Sequence, residues 1–235
     1  ASDLKAKWNT QLANPDSREI NLPVQGKFYR LKNVASGRYM NVKSASSVVV
    51  TDAGDNLPAT IFYLGEDNTM LSYSVGQYLD CYNKNLAAVG TSKSGEFAAA
   101  RSGAKPNTIM YKNNSYWTYG NCDNNASIDR GSDKPTANTV GYDWTLEEIE
   151  TLPVTITAAG YATLYAPVAL EIPKDVKVYT AVKDDDSAYL NLQLVETGSI
   201  PANTGVILEA NPGTYYFTVT DDDGVPALGT TNELV

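Results

Sequence analysis

The chain has 235 residues, of which 43% are hydrophobic and 19% charged, a composition typical of a soluble globular protein with room for two hydrophobic cores. Its formal net charge of -9 repels phosphate backbones and anionic lipid, so neither nucleic-acid binding nor membrane insertion is expected. Because the chain has no histidine, Ser-His-Asp and Cys-His nucleophile pairs and imidazole metal ligands are excluded.

The first predicted element is a short helix in a lead-in segment, residues 1–23. Leu4, Trp8 and Leu12 recur at helical spacing, and Pro15 ends the pattern. No apolar run approaches the roughly 18 residues of a membrane span. The chain starts without Met, which fits both a secreted protein that has lost its signal peptide and a piece of a longer chain.

A repeated motif follows in a region of short strands rich in Val, Thr and Tyr. Residues 36–42 are matched by residues 75–81 and more loosely by residues 113–119, at a period of about 40 residues. Each repeat has an apolar strand before the motif and an aromatic strand after it. Three repeats of four strands predict an all-β fold, a β-trefoil over residues 24–150. The matching tyrosines are Tyr39, Tyr78 and Tyr116, and the aromatic strands contain Phe62, Phe97 and Trp144.

The alternation of strand residues predicts one buried and one outward face for each motif. Met40 and Val42 are expected to point inward, and Tyr39 and Asn41 outward. In the other two repeats the inward residues would be Leu79 and Cys81, then Trp117 and Tyr119, and the outward residues Tyr78 and Asp80, then Tyr116 and Thr118.

Residues 29–42 resemble the repeat opening of ricin-type β-trefoil lectin domains. That resemblance implies shallow sugar pockets and a glycan as the partner, either a polysaccharide or a glycoprotein sugar. The Gln-x-Trp signature of the family is absent, and residues 61–63, 96–98 and 143–145 occupy its positions.

The resemblance also implies an aspartate that accepts hydrogen bonds from sugar hydroxyls, and Asp80 alone keeps that identity. Asn41 would be a weaker, neutral acceptor in the first repeat. Repeat two is therefore the predicted ligand site, where Tyr82, Asn83 and Asn85 follow Asp80. The alternative is that Asp80 and Asn41 begin turns while the tyrosines cover the barrel.

A second domain is predicted over residues 151–235, with six short strands separated by polar turns. Residues 159–168 and 200–208 resemble a β-sandwich module found at the C-terminal side of secreted Bacteroidetes proteins, many of which degrade glycans. The resemblance implies a secreted or cell-surface location and a domain that continues beyond the sequence. The expected architecture is thus a β-trefoil followed by a smaller β-sandwich-like domain.

Catalytic and metal chemistry find little support in the sequence. Residues 184–186 and 221–223 are acidic triplets without the spacing of a calcium loop, so they are interpreted as hairpin turns. Glu147 and Glu148 are adjacent in a predicted strand and would point to opposite faces, so they cannot flank one glycosidic bond.

Cys81 and Cys122 lack Cys-x-x-Cys spacing, and a disulfide and two buried thiols both fit. No cofactor, no metal and no enzymatic activity are expected. The function predicted from the sequence is that of a carbohydrate-binding module in a secreted or surface glycan-processing protein, as a monomer or part of a longer chain. The rival is a trefoil that binds or inhibits other proteins.

Overall fold

The computed structural model describes residues 22–52, 57–81, 87–88, 94–99, 108–120, 123–131, 140–183, 189–221, 232 and 234. The chain forms two compact units, Ala1–Glu148 and Ile149–Val235. The predicted lead-in helix lies outside the described residues. Within the described ranges, no helix is both long enough and apolar enough to cross a bilayer.

The first unit consists of three successive groups of four strands. The first group is β1 (Lys27–Asn33), β2 (Tyr39–Ser44), β3 (Ser47–Thr51) and β4 (Phe62–Leu64). The second group is β5 (Met70–Ser72), β6 (Leu79–Asp80), β7 (Ala87–Ala88) and β8 (Gly95–Ala99). The third group is β9 (Ile109–Asn113), β10 (Tyr116–Tyr119), β11 (Asp129–Gly131) and β12 (Trp144–Ile149).

The strand pairing of this unit is that of a β-trefoil. The first and fourth strands of the repeats form the barrel wall, which runs through hydrogen-bonded neighbours from β5 to β4, β1, β12, β9 and β8. The second and third strands pair as three hairpins, β2 with β3, β6 with β7 and β10 with β11. The predicted all-β fold with a β-trefoil is confirmed.

All three repeats contribute to a single hydrophobic core. Leu31, Met70 and Tyr111 occupy the same position in β1, β5 and β9, and all three are buried. Phe62 and Trp144 close the core from the fourth strands. Because every repeat supplies only part of this core, no repeat can bury its apolar face alone.

The motif tyrosines of the first two repeats occupy matching positions. Tyr39 lies opposite Lys32, and Tyr78 lies opposite Leu71. In both repeats a backbone hydrogen bond closes the preceding turn, from Asn33 N–H to the carbonyl of Arg38 and from Ser72 N–H to that of Gln77. The two motifs are therefore in the same register.

The third repeat has a shorter turn, and this shifts its motif by one residue. Tyr116 pairs directly with Asn113, so Trp117 lies opposite Lys112, the residue that matches Lys32. The prediction that Tyr116 matches the first two tyrosines is wrong, because a two-residue turn replaces the longer ones and Trp117 takes that position.

The shift also exchanges the two faces of β10, since strand side chains alternate. Thr118, expected to point outward, is fully buried, and its hydroxyl donates to the Tyr111 carbonyl at 2.9 Å. Tyr119, expected to point inward, is half-buried. The residue equivalent to Asn41 and Asp80 is therefore Tyr119.

Two buried asparagines link neighbouring repeats at the ends of β1 and β9. Asn113 accepts the Cys81 N–H at 2.6 Å and donates to the Leu79 carbonyl at 3.1 Å. Asn33, at the matching position, donates to the Gly141 carbonyl at 2.8 Å. Each amide therefore adds side-chain hydrogen bonds to buried backbone groups of another repeat.

Burial raises the pKa of the Tyr73 and Tyr111 hydroxyls of the first unit well above the ordinary value. Tyr111 is fully buried, and Tyr73 packs edge-on against Phe28 at 6.1 Å between ring centroids. The raised pKa values leave stability unchanged below about pH 10, where both tyrosines are protonated in the folded and unfolded chain.

We expect the free energy of unfolding to fall above about pH 10, by about 1.4 kcal/mol per pH unit for each tyrosine, because only the unfolded chain then releases the protons. Guanidinium unfolding at a series of pH values from about 9 to 11 measures this slope. Tyr73→Phe should reduce it. A midpoint that stays constant across the range would contradict the assignment.

The second unit has two four-stranded antiparallel sheets. One has the order β13 (Thr151–Ile156), β20 (Gly213–Thr220), β15 (Ala169–Glu171), β18 (Ser199–Ile200). The other has the order β14 (Tyr161–Ala166), β19 (Thr204–Glu209), β16 (Lys177–Lys183), β17 (Leu190–Leu194). This arrangement is the predicted β-sandwich, with β15 and β18 as strands that the sequence pattern did not indicate.

The chain at Asn232 and Leu234 packs against β16 and β19 of the second sheet. The Asn232 side chain accepts the Ala181 N–H at 3.2 Å, and its NH₂ group donates to the Gly205 carbonyl at 2.6 Å. The amide thus bridges β16 and β19. Gly205 leaves room for this segment, since a Cβ there would lie 1.5 Å from the Leu234 carbonyl oxygen.

Of the remaining predicted features, Cys81 is buried, whereas Cys122 lies outside the described residues. The acidic triplet at residues 184–186 also lies outside them, and only Asp221 of the other triplet is described.

Candidate binding site

Asp80, the residue at the centre of the predicted site, lies in the short strand β6 opposite Ala87. Its side chain is mostly buried, with 6% of the residue exposed. One carboxylate oxygen accepts a hydrogen bond from the Asn114 amide at 3.3 Å. Asn114 belongs to the two-residue turn of repeat three and has a left-handed backbone (φ 56°), so the next repeat holds this carboxylate.

The other predicted site residues divide into two groups. Asn41 lies in β2 opposite Val49 and is 9% exposed. Because Asn41 and Asp80 belong to equivalent positions of different repeats, they do not share one pocket. The three residues expected to complete the repeat-two site, Tyr82, Asn83 and Asn85, lie outside the described residues.

Tyr39, which was expected on the outward face, is engaged within the protein. The Arg30 guanidinium lies over its ring at 3.8 Å from the centroid, a cation–π contact. The Tyr39 hydroxyl donates to the Glu147 carboxylate, with both oxygens within 3.1 Å. The neighbouring Glu148 forms an ion pair with Lys27 instead. These contacts give Tyr39 and both glutamates structural roles.

Repeat three has an aromatic pair at the position that Asp80 occupies in repeat two. Tyr119 at the end of β10 contacts Tyr142, in the short 3₁₀ turn before β12, with ring centroids 4.9 Å apart and planes 62° apart. Both side chains are half-buried. We call these two residues the tyrosine pair.

Two glycines allow the tyrosine pair to lie against the backbone. A Cβ on Gly141 would lie 2.2 Å from the Tyr119 ring, and one on Gly131 would lie 2.3 Å from the Tyr142 hydroxyl. Neither position can take a side chain unless a ring moves. The two glycines therefore allow the rings to lie close to the backbone.

Asp129 supplies a carboxylate beside the tyrosine pair. It lies directly opposite Tyr119 in the β10–β11 hairpin, and cross-strand partners project to the same side of a sheet. Asp129 is exposed. The pKa of Tyr142 is raised, chiefly by burial and further by the nearby Tyr119 and Asp129, which indicates that the three groups are close.

This arrangement can bind a small polyhydroxy ligand. An aromatic ring offers an apolar platform for the C–H face of a pyranose, and a carboxylate accepts hydrogen bonds from adjacent hydroxyls. Sequence reasoning missed the site because it placed Tyr119 in the core. Asn114-Ser115 is the signal that could have revealed it, since these two residues form the tight turn that moves Tyr119 outward.

No protein-family model and no curated protein matches the sequence. Among solved structures, a Macrolepiota procera ricin B-like lectin in complex with lactose is similar at 15% identity and a TM-score of 0.47, covering 54% of this chain and 99% of that one. The Rhizoctonia solani agglutinin is similar at 15% identity and a TM-score of 0.44, covering 55% and 99%. Cry35Ab1 is similar at 9% identity and a TM-score of 0.40, covering 85% and 80%. These identities are too low to carry function to this chain.

Proposed function

We propose that the trefoil binds carbohydrate without catalysing a reaction on it, as a module of a secreted or cell-surface protein that processes glycans. The observation that carries the proposal is the tyrosine pair with Asp129 beside it. Rings and carboxylate lie on one side of the β10–β11 hairpin, and two glycines leave room for the rings.

Repeat three is favoured over repeat two as the principal site. Asp129 is exposed, whereas Asp80 is mostly buried and already accepts a hydrogen bond from Asn114. A ligand at Asp80 would have to compete with that amide. The two tyrosine side chains, in contrast, are half-buried, so part of each remains open to a ligand.

The affinity expected for such a site is weak, because a shallow surface buries little of a ligand. A dissociation constant near the millimolar range corresponds to about 4 kcal/mol. Useful retention on a polymer then requires several sites or modules acting together. A weak affinity of this kind is compatible with an anchor that raises the local concentration of an attached enzyme at its substrate.

A glycan array tests the proposal against its rival, a trefoil that binds or inhibits proteins. Binding to a defined group of glycans supports carbohydrate recognition. An array without signal, even when the chain is presented in multivalent form to compensate for weak affinity, would contradict it and favour a protein partner.

The replacement Tyr119→Ala should abolish detectable binding, because it removes half of the aromatic platform. Asp129→Ala should weaken binding about 10- to 100-fold, the value of a lost charge-assisted acceptor. Titration calorimetry with a glycan taken from the array measures both effects, and thermal melting verifies that the variants are folded.

Tyr161→Ala is the matched control, since Tyr161 is a half-exposed tyrosine of the second unit and its loss should leave binding unchanged. Asp80→Ala separates the two repeats. If Asp80→Ala abolishes binding while Tyr119→Ala does not, the site lies in repeat two, as the sequence predicted, and the assignment to repeat three is wrong.

A further inference from the structure

The edge strand β17 of the second unit is exposed along its whole length. All five of its residues, from Leu190 to Leu194, are exposed, and the three leucines are 51%, 47% and 51% exposed in chain order. Within the described residues, β17 pairs with β16 alone. Its other edge therefore offers backbone N–H and C=O groups for a further strand.

The three leucines form one apolar stripe on the outer face of the sheet. Leu190, Leu192 and Leu194 lie opposite Lys183, Ala181 and Tyr179 of β16, whereas Asn191 and Gln193 project to the other face. Proteins usually protect an exposed edge strand with charges, proline or a bulge. The sequence Leu-Asn-Leu-Gln-Leu contains no charge and no proline, and its pairing with β16 is regular.

The sequence of β17 is also complementary to itself. In an antiparallel pair with a two-fold axis at Leu192, Leu192 meets its copy, and Leu190 meets Leu194 in both directions. Asn191 then meets Gln193, two amides that can hydrogen-bond to each other. An isologous interface requires this kind of match, in which one surface fits its own copy.

Charge does not oppose this occupant at β17 itself. The chain carries a net charge of -9, so two copies repel each other over distance. The two-fold register nevertheless places no charged residue of β17 opposite another. A second copy can therefore approach β17 without like charges meeting in the strand.

We propose that a second copy of this chain adds β17 to β17, so that two four-stranded sheets join into one continuous eight-stranded sheet with a shared stripe of leucines. A five-residue pairing with half-exposed leucines buries a few hundred Å² per copy, less than the roughly 800 Å² of a standard interface. The dimer is therefore weak and reversible. The dimer would carry two trefoils, in contrast to the monomer expected from the sequence.

Sedimentation velocity of the full chain over a wide range of concentrations is the first test. The average mass should rise from one chain toward two as the concentration increases. Added salt should strengthen the association, because it screens the repulsion between the acidic copies. The range of that repulsion is about 8 Å at physiological ionic strength and becomes shorter as salt is added. A wild-type chain that stays monomeric throughout, or an association that salt weakens, would overturn the proposal.

A charge exchange at the two-fold axis tests the register. Leu192→Glu and Leu192→Lys should each be monomeric, because each places like charges opposite each other. Their equimolar mixture should regain a dimer at least as strong as that of the wild type. Should the mixture remain monomeric while both variants melt as the wild type does, the two-fold contact at Leu192 is wrong.

Two further variants complete the experiment. Tyr161→Glu, in the other edge strand of the same sheet, is the matched control and should leave the dimer unchanged. If a charged variant melts at a lower temperature than the wild type, Leu192→Thr replaces it. Threonine favours strands but removes apolar surface, so Leu192→Thr should weaken the dimer at least fivefold. Equal dimerisation of Leu192→Thr and wild type would exclude the interface.

Discussion

Replacing Trp144 by alanine is expected to lower the free energy of unfolding of the trefoil by about 3–5 kcal/mol, the usual result of removing a large buried aromatic side chain. Trp144 is fully buried, and its indole N–H donates to the Thr118 carbonyl at 3.3 Å. It also lies opposite Ile109, at the contact between β12 and β9. The substitution removes core volume, a hydrogen bond and part of this barrel contact together.

The melting temperature of the trefoil should fall by roughly 10–20 °C in Trp144→Ala, and differential scanning calorimetry measures the change. Trp144→Phe is the matched control, because it keeps most of the aromatic volume and loses mainly the hydrogen bond to Thr118. The fall in melting temperature of Trp144→Phe should be much smaller than that of Trp144→Ala. Equal losses in the two variants would show that the hydrogen bond, rather than core volume, carries the effect.

Asn113→Ala should destabilise the trefoil by about 3–4 kcal/mol, although the side chain is polar. The substitution leaves the Cys81 N–H and the Leu79 carbonyl buried without the partner that now holds them, and each such group costs about 1–3 kcal/mol. It also removes the hydrogen bond from Asn113 to the Tyr111 hydroxyl at 3.1 Å. Repeats two and three therefore lose a direct link.

Asn124→Ala is the control for this prediction, because Asn124 is exposed. The one hydrogen bond described for its side chain is accepted from the Asp52 N–H at 3.2 Å. Its effect should stay below about 1 kcal/mol. Denaturant unfolding followed by tryptophan fluorescence compares the two variants. Similar midpoints for both would mean that the amide bridge at Asn113 contributes little to stability.

The trefoil could be predicted from the sequence because its evidence is repeated three times. The spacing of the motif, the apolar strand before it and the aromatic strand after it all recur, and a four-strand repeat follows. Positions such as Met40 and Leu79 were correctly expected in the core, since both repeats have turns that keep the same register.

The site in repeat three could not be predicted in the same way. Matching Tyr116 to Tyr78 ignored the shorter turn before β10, and an error of one residue inverts the faces of a strand. Tyr142 and Asp129 come from separate parts of the repeat and meet Tyr119 only after the hairpin and the barrel wall have formed. No local pattern in the sequence links these three residues.

In the sandwich, the strands that were missed are the short ones. β15 and β18 have three and two residues, too few for alternation to be recognised. The longer strands, among them Tyr161–Ala166 and Gly213–Thr220, have alternating or β-branched patterns that indicate a strand. Residues 82–86 lie outside the described residues, so the repeat-two site stays a prediction.

The first and last strands of the trefoil are neighbours in the barrel wall. Thr145 of β12 donates to the Lys32 carbonyl of β1 at 3.3 Å, and Lys27 forms an ion pair with Glu148. The two ends of this fold therefore leave the barrel side by side. Such a fold suits circular permutation: a short linker joining the ends, with a new opening between two repeats, should preserve the barrel. For the same reason, the trefoil can be inserted as a cassette into a surface loop of another protein.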